Sequence, residues 1–185
     1  MQKLLALADC IDRLNVAIGR GAAWCVVFMV AAQFLVVVLR YVFGIGSVWL
    51  QESVLYAHGA LILLTVAWTL WAGGHVRVDI FYAGMSERAK AQVDLFGAVV
   101  LLLPFVAALI HFSTPYVARS WVIFERSREV GGIPLVWLLK TLIPLFAVLL
   151  GSQGISQAIR AWAVLSGQSS DPSKGAPATA LRDAA

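Results

Sequence analysis

Residues 53–72 constrain this chain most: they form an uncharged run of twenty. Twenty helical residues at 1.5 Å each are about 30 Å long, the hydrocarbon thickness of a bilayer. Inside that layer every backbone N–H and C=O must find its partner within the segment, so the run predicts a membrane-crossing helix. Polar groups bound it, with Gln51-Glu52 before it and Gly73-Gly74-His75-Val76-Arg77-Val78-Asp79 after it.

Three further runs have the same character. Residues 21–39 carry no charge and end at Arg40-Tyr41, a basic group and an aromatic ring at interface depth. Residues 95–112 contain Pro104, which a spanning helix tolerates where neighbours or local adjustment satisfy the freed carbonyl. Residues 133–156 open on Ile133-Pro134 and contain Pro144 and one charge, Lys140. The predicted fold class is all-α, an integral membrane four-helix unit with an N-terminal amphipathic helix. Its parts are residues 1–20, a four-helix domain over 21–164, and a tail over 165–185. Composition agrees, since 13% of residues are charged against about 25% in soluble domains. The net charge of +4 is scattered rather than gathered in a stripe, which argues against nucleic acid as a partner.

The connecting segments are less uniform. In residues 1–20, Leu4, Leu7, Ala8, Ile11, Leu14 and Ile18 recur at helical spacing, with Lys3, Asp9, Asp12, Arg13 and Arg20 largely off that stripe. Asp9 and Asp12 interrupt what would be the apolar core of a signal peptide, and no small-residue cleavage site follows it. Two readings stand: a helix lying in the membrane interface, or an extension of the first span. Ser47 and Ser53 are both placed to cap the second span, and Ser86-Glu87-Arg88 reads as the cap and first turn leading to the third. In residues 113–132, Val117, Trp121 and Phe124 share a face among charged neighbours. This is either an amphipathic surface helix or a protruding extension of the third span. The tail is rich in Gly, Ser, Pro and Ala without apolar period, which predicts disorder. Cys10 and Cys25 form no C-x-x-C, and Cys25 in its apolar run reads as an inert thiol.

Basic residues set the expected orientation. Nine fall on one side: Lys3, Arg13, Arg20, Arg77, Arg88, Lys90, Arg160, Lys174 and Arg182. Four fall on the other: Arg40, Arg119, Arg126 and Arg128. Both termini are therefore expected in the cytoplasm.

Catalytic patterns such as H-E-x-x-H, G-x-S-x-G or a P-loop are absent from the sequence. His75, Arg77 and Asp79 alternate as a ligand cluster would, but one imidazole and one carboxylate are too few for a metal site. A solvated loop anchoring a helix end is the simpler reading. His58 and His111 fall in the second and third spans, and paired axial histidines in a four-helix bundle hold haem in b-type cytochromes. A polar contact between helices is the plainer role for both. Lys140 stands out, because a lysine near the centre of a span costs about 2.5–3.5 kcal/mol on insertion scales. Glu52, Glu125 and Glu129 lie on its side as candidate partners, with snorkelling along its own stem as the alternative. No discontinuous helix pair or internal repeat is present to build a transport site, so the chain reads as an auxiliary subunit.

Several stretches together resemble a known family. They are Arg40-Tyr41-Val42-Phe43-Gly44, Trp49-Leu50-Gln51-Glu52, Gly74-His75-Val76-Arg77-Val78-Asp79, and Gly131-Gly132-Ile133-Pro134-Leu135-Val136-Trp137-Leu138-Leu139-Lys140 with Ile143-Pro144. Over about residues 22–162 the chain resembles the small four-helix subunit, DctQ type, of tripartite ATP-independent periplasmic (TRAP) transporters. The resemblance implies a large DctM-type permease subunit, which carries the substrate and a coupling ion, usually sodium. It also implies a periplasmic protein that captures an organic anion, and a bacterial inner-membrane location. It gives this subunit no catalytic residue and no cofactor. Arg40, Trp49, Glu52, His75, Arg77, Asp79, Glu125, Glu129 and Lys140 are then candidates for subunit contact or structural polar roles.

Overall fold

The computed structural model describes residues 1–75, 82 and 84–167. Four helices within it are long and apolar enough to cross a membrane. They are α1 (Gln2–Val42), α2 (Val48–Trp71), α3 (Glu87–Val122) and α4 (Val136–Leu165). Among the described residues there is no strand. Arg77, Asp79 and the tail beyond Gly167 lie outside the described residues, and with them the expectation of a disordered tail.

Of the two readings of residues 1–20, the structure takes the extension. They form the first half of a 41-residue α1. They do not lie flat as a separate helix because their polar side faces α4. Ala8 is fully buried and Asp12 and Asn15 nearly so. Four crossings return the chain to its starting side, where the Ser156 hydroxyl donates to the Ala8 carbonyl at 3.4 Å. This is the terminal end of the bundle, and the opposite end is the distal end.

Local chemistry sets the helix boundaries. Ser47 caps α2, accepting from the Leu50 N–H at 3.3 Å, while Ser53 turns back to the Leu50 carbonyl. Gly73, at φ +64°, ends α2. The Gly74 N–H reaches the Thr69 carbonyl at 2.9 Å and the Gly73 N–H reaches Leu70 at 3.2 Å, the paired bonds of a Schellman motif. Ser86 caps α3 through the Ala89 N–H.

Within α3 a π-helical turn runs from Gly97 to Leu102, with the Leu103 N–H returning to Ala98. Pro104 follows directly. It has no N–H for the preceding turn and its ring crowds the carbonyl four residues back. A widened turn lets the helix continue past it. α3 then runs without a break through Pro115 to Val122, so residues 113–122 extend the third span.

α4 starts at Val136, three residues later than predicted. Both backbone groups of Ile133 are already engaged: its carbonyl accepts from Ser127 and its N–H donates to Glu52. Pro134 also disfavours helical geometry in the residue before it. Lys140 therefore lies four residues into the helix, about 6 Å along the axis, nearer the distal rim than the sequence suggested.

α4 packs against each of the other three helices, and α1 also packs along α2. Water-driven association is absent between helices in lipid, so close backbone approach must hold them. Small residues allow it. A Cβ on Gly19 would stand 2.6 Å from Trp68 Cβ, and one on Gly151 would stand 2.9 Å from Val106 Cγ1. Val106, Ala147 and Leu150 form the buried centre where α3 meets α4. Large apolar side chains such as Trp24, Val30 and Phe34 remain exposed on the outside, as lipid contact requires.

Candidate functional site

Two polar clusters close the bundle, one at each end. The distal cluster is built where α3 turns into α4. Phe124 ends α3 in the left-handed region at φ +45°. The Glu125 N–H reaches the Ser120 carbonyl at 3.0 Å and the Phe124 N–H reaches Trp121 at 3.2 Å. This is again a Schellman ending, with phenylalanine where glycine is usual. The Phe124 ring meets Trp137 edge-on at 6.1 Å, and Trp121 meets the same ring at 4.4 Å.

That turn aims Glu125 at Lys140. The Nζ–Oε2 distance is 2.5 Å, with both side chains largely enclosed. Ser120 donates to the same carboxylate oxygen at 2.7 Å, and the ammonium lies 4.2 Å from the centre of the Tyr116 ring. The hydrogen bond from Lys140, then that from Ser120, holds Glu125 below its ordinary value of 4.5. The sign follows from linkage: the pair contributes fully above 4.5 and is lost as pH falls through the lowered value.

Glu52 has a different task. Its Oε2 accepts the Ile133 N–H at 2.5 Å and its Oε1 accepts the Ser127 hydroxyl. One carboxylate at the start of α2 thus ties down the α3–α4 connection. A Cβ on Gly132 would stand 2.6 Å from Ser127 Cβ and 2.8 Å from Glu52 Oε1, so only glycine fits beside this contact. Glu129 is exposed; its backbone N–H, not its carboxylate, takes part, donating to Ser127 Oγ at 3.2 Å. Arg40 and Trp49 are exposed at the same end, and His75 is exposed at the terminal end.

The two span histidines correct an expectation. Both are exposed, and among the described residues neither makes a hydrogen bond or ion pair. His111 meets only the edge of Phe112. α4 packs between α2 and α3, so the two imidazoles point away from the bundle rather than across it.

The terminal cluster was not foreseen. Asp12, Asn15, Gln153 and Ser156 are buried between α1 and α4. Asn15 Nδ2 donates to Gln153 Oε1 at 2.8 Å, and Gln153 Nε2 donates to Asp12 Oδ1 at 2.8 Å. Ser156 donates to Asp12 Oδ1 at 2.6 Å. Arg160 covers the other oxygen, with Nη2 at 2.6 Å and Nε at 3.2 Å, and reaches Asp9 at 2.6 Å. The signal was in the spacing: Asp9, Asp12 and Asn15 on α1, and Gln153, Ser156 and Arg160 on α4, each step three or four residues. In a membrane helix such a polar stripe faces protein.

Neither cluster pairs a nucleophile with a base. Both join helices through polar contacts, although Asn15 Oδ1 in the terminal cluster is buried without a hydrogen-bond partner. A family model described as tripartite ATP-independent periplasmic transporters, DctQ component, matches residues 29–164. The chain belongs to the DctQ family. No curated protein and no solved structure matches it. The DctQ match takes in the whole distal cluster, but Asp9, Asp12 and Asn15 precede it, so the α1 half of the terminal cluster lies outside the matched region. DctQ is a transporter component rather than an enzyme family, and it gives the haem reading of His58 and His111 no support.

Proposed function

We propose that this DctQ chain is the small permease subunit of a TRAP-type secondary transporter. It pairs with a large DctM-type subunit and enlarges its membrane scaffold. The complex takes up an organic acid delivered by a periplasmic binding protein, as an ion-driven symport in the bacterial inner membrane. The coupling ion, usually sodium in such systems, belongs to the large subunit, and this chain holds no cofactor. The observation that carries the reading is the family match over residues 29–164. Polar chemistry spent on joining helices, at the distal and terminal clusters alike, suits a scaffold. The exposed Arg40, Trp49, His75 and Glu129 remain candidates for subunit contact, with Arg77 and Asp79 beside them in sequence.

Deleting this chain is expected to abolish uptake while the large subunit is still made and inserted. Transport at the normal rate by the large subunit alone would remove the essential-partner reading. The nine-to-four distribution of basic residues supports cytoplasmic termini. Alkaline phosphatase fused after Arg126 should then be active, and silent when fused after Asp79. The opposite pattern would invert the assignment.

A further inference from the structure

A recess of about 650 Å³ opens at the terminal end, beside the buried polar cluster. One wall is the α1 stripe Arg13, Val16, Ala17 and Arg20, whose steps of three and four residues place all four on one helix face. Trp71, the last residue of α2, and Arg160 form the other side. The charge of Arg160 is taken up by Asp9 and Asp12. Arg13 and Arg20 are exposed, and among the described residues neither has a carboxylate partner. Asp9 and Asp12 also line the recess, but Arg160 holds both, so the guanidinium groups of Arg13 and Arg20 leave the recess with a net positive charge.

Their depth decides what fits. Arg20 directly precedes the uncharged residues 21–39, and its neighbour Gly19 packs on Trp68 in the last turn of α2. Arg20 therefore lies at the edge of the hydrocarbon, and Arg13 lies about 10 Å further out, a separation comparable to the headgroup layer. Continuing the same face inward, Trp24 is 73% exposed and Val27 59%. A basic recess at headgroup depth with an apolar strip running inward from it matches a lipid, phosphate above and acyl chains below. A free phosphate would use the arginines and leave the strip without a role.

We propose that this recess binds the phosphodiester of an anionic phospholipid, in the leaflet on the side of the chain termini. Guanidinium groups suit the task because their paired N–H groups match two phosphate oxygens. The proposal rests on the chain spanning a bilayer and not on its partnership with a large subunit, so the two can fail separately.

The test is native mass spectrometry of the full chain in neutral detergent, with equal phosphatidylglycerol and phosphatidylcholine added. Retention of phosphatidylglycerol is expected to exceed that of phosphatidylcholine on the order of tenfold, the scale of two basic groups near an anionic surface. Arg13→Gln/Arg20→Gln should bring the two lipids to parity, while Arg13→Lys/Arg20→Lys should keep most of the preference. Arg126→Gln/Arg128→Gln, which removes two charges at the distal end, should leave it unchanged. Circular dichroism should show the same helix content in every variant. Equal retention of both lipids by the wild type, or a preference that survives the glutamine pair, would overturn the proposal. Competition by millimolar inorganic phosphate would overturn the lipid as the source of the phosphate. Loss of a co-purifying large subunit in the glutamine pair, with lipid preference intact, would overturn it in favour of a protein interface.

Discussion

Asp12→Ala is expected to destabilise the detergent-solubilised chain by about 3 kcal/mol, the lower end of the range for breaking a buried ion pair. Asp12 is only 6% exposed and accepts from Gln153, Ser156 and Arg160. Its removal leaves the buried Gln153 amide without its acceptor, and leaves Ser156 only its longer bond to the Ala8 carbonyl. Arg160 keeps Asp9 at 2.6 Å, which is why the upper end of the range is not expected. Removing both charges tells the pair from its parts. Asp12→Leu with Arg160→Met should lie closer to wild type than either single change, because the desolvation of both ions is relieved together. Chemical denaturation in mixed micelles measures this. A loss under about 1 kcal/mol for Asp12→Ala, on the scale of an exposed pair, would mean that the cluster contributes little to holding α1 against α4.

Glu52→Ala should be the next most damaging change, at about 1.5–3 kcal/mol, the range for hydrogen bonds to a charged group. It leaves the N–H of Ile133 without its acceptor in a residue that is 7% exposed, and it frees Ser127. The measurable sign is protease cleavage between Val122 and Val136 at lower temperature than in wild type. Glu52→Gln, which retains one carbonyl acceptor, should recover part of the loss. Unchanged melting and unchanged cleavage in Glu52→Ala would sink the idea that this carboxylate fixes the distal turn. Lys140→Met should lower the melting temperature less than Glu52→Ala does, because Glu125 stands at the edge of water and retains Ser120 as a donor.

Hydropathy made the four crossings legible before any coordinate, because a bilayer leaves a chain few ways to satisfy its backbone. The caps at Ser47 and Ser86 were legible for a similar reason: a hydroxyl just ahead of an apolar run has few other uses. Of the three carboxylates considered for Lys140, choosing Glu125 needed the left-handed turn at Phe124. Nothing in the residue type announces that turn, since phenylalanine adopts such geometry only where its ring gains a contact elsewhere. The terminal cluster was missed. Asp9 and Asp12 were seen only as charges off an apolar stripe, whereas a second helix with its own polar stripe lies against them. The fourth span, read over residues 133–156, lies in a helix that runs on to Leu165, where Ser156 and Arg160 meet α1.

α4 carries both locks: Lys140 is bound to Glu125, and Arg160 to Asp9 and Asp12. Twenty residues separate the two cations, about 30 Å of helix, so α4 is pinned to its neighbours near both ends. The subunit therefore has a set height. A lone spanning helix meets a thicker or thinner bilayer by tilting or sliding, but α4 cannot slide without tearing an ion pair at one end or drawing a charge into lipid at the other. Mismatch must be absorbed by the surrounding lipid or by whatever protein stands beside it, and a bilayer of the wrong thickness should strain the assembly at its seams before it deforms this subunit.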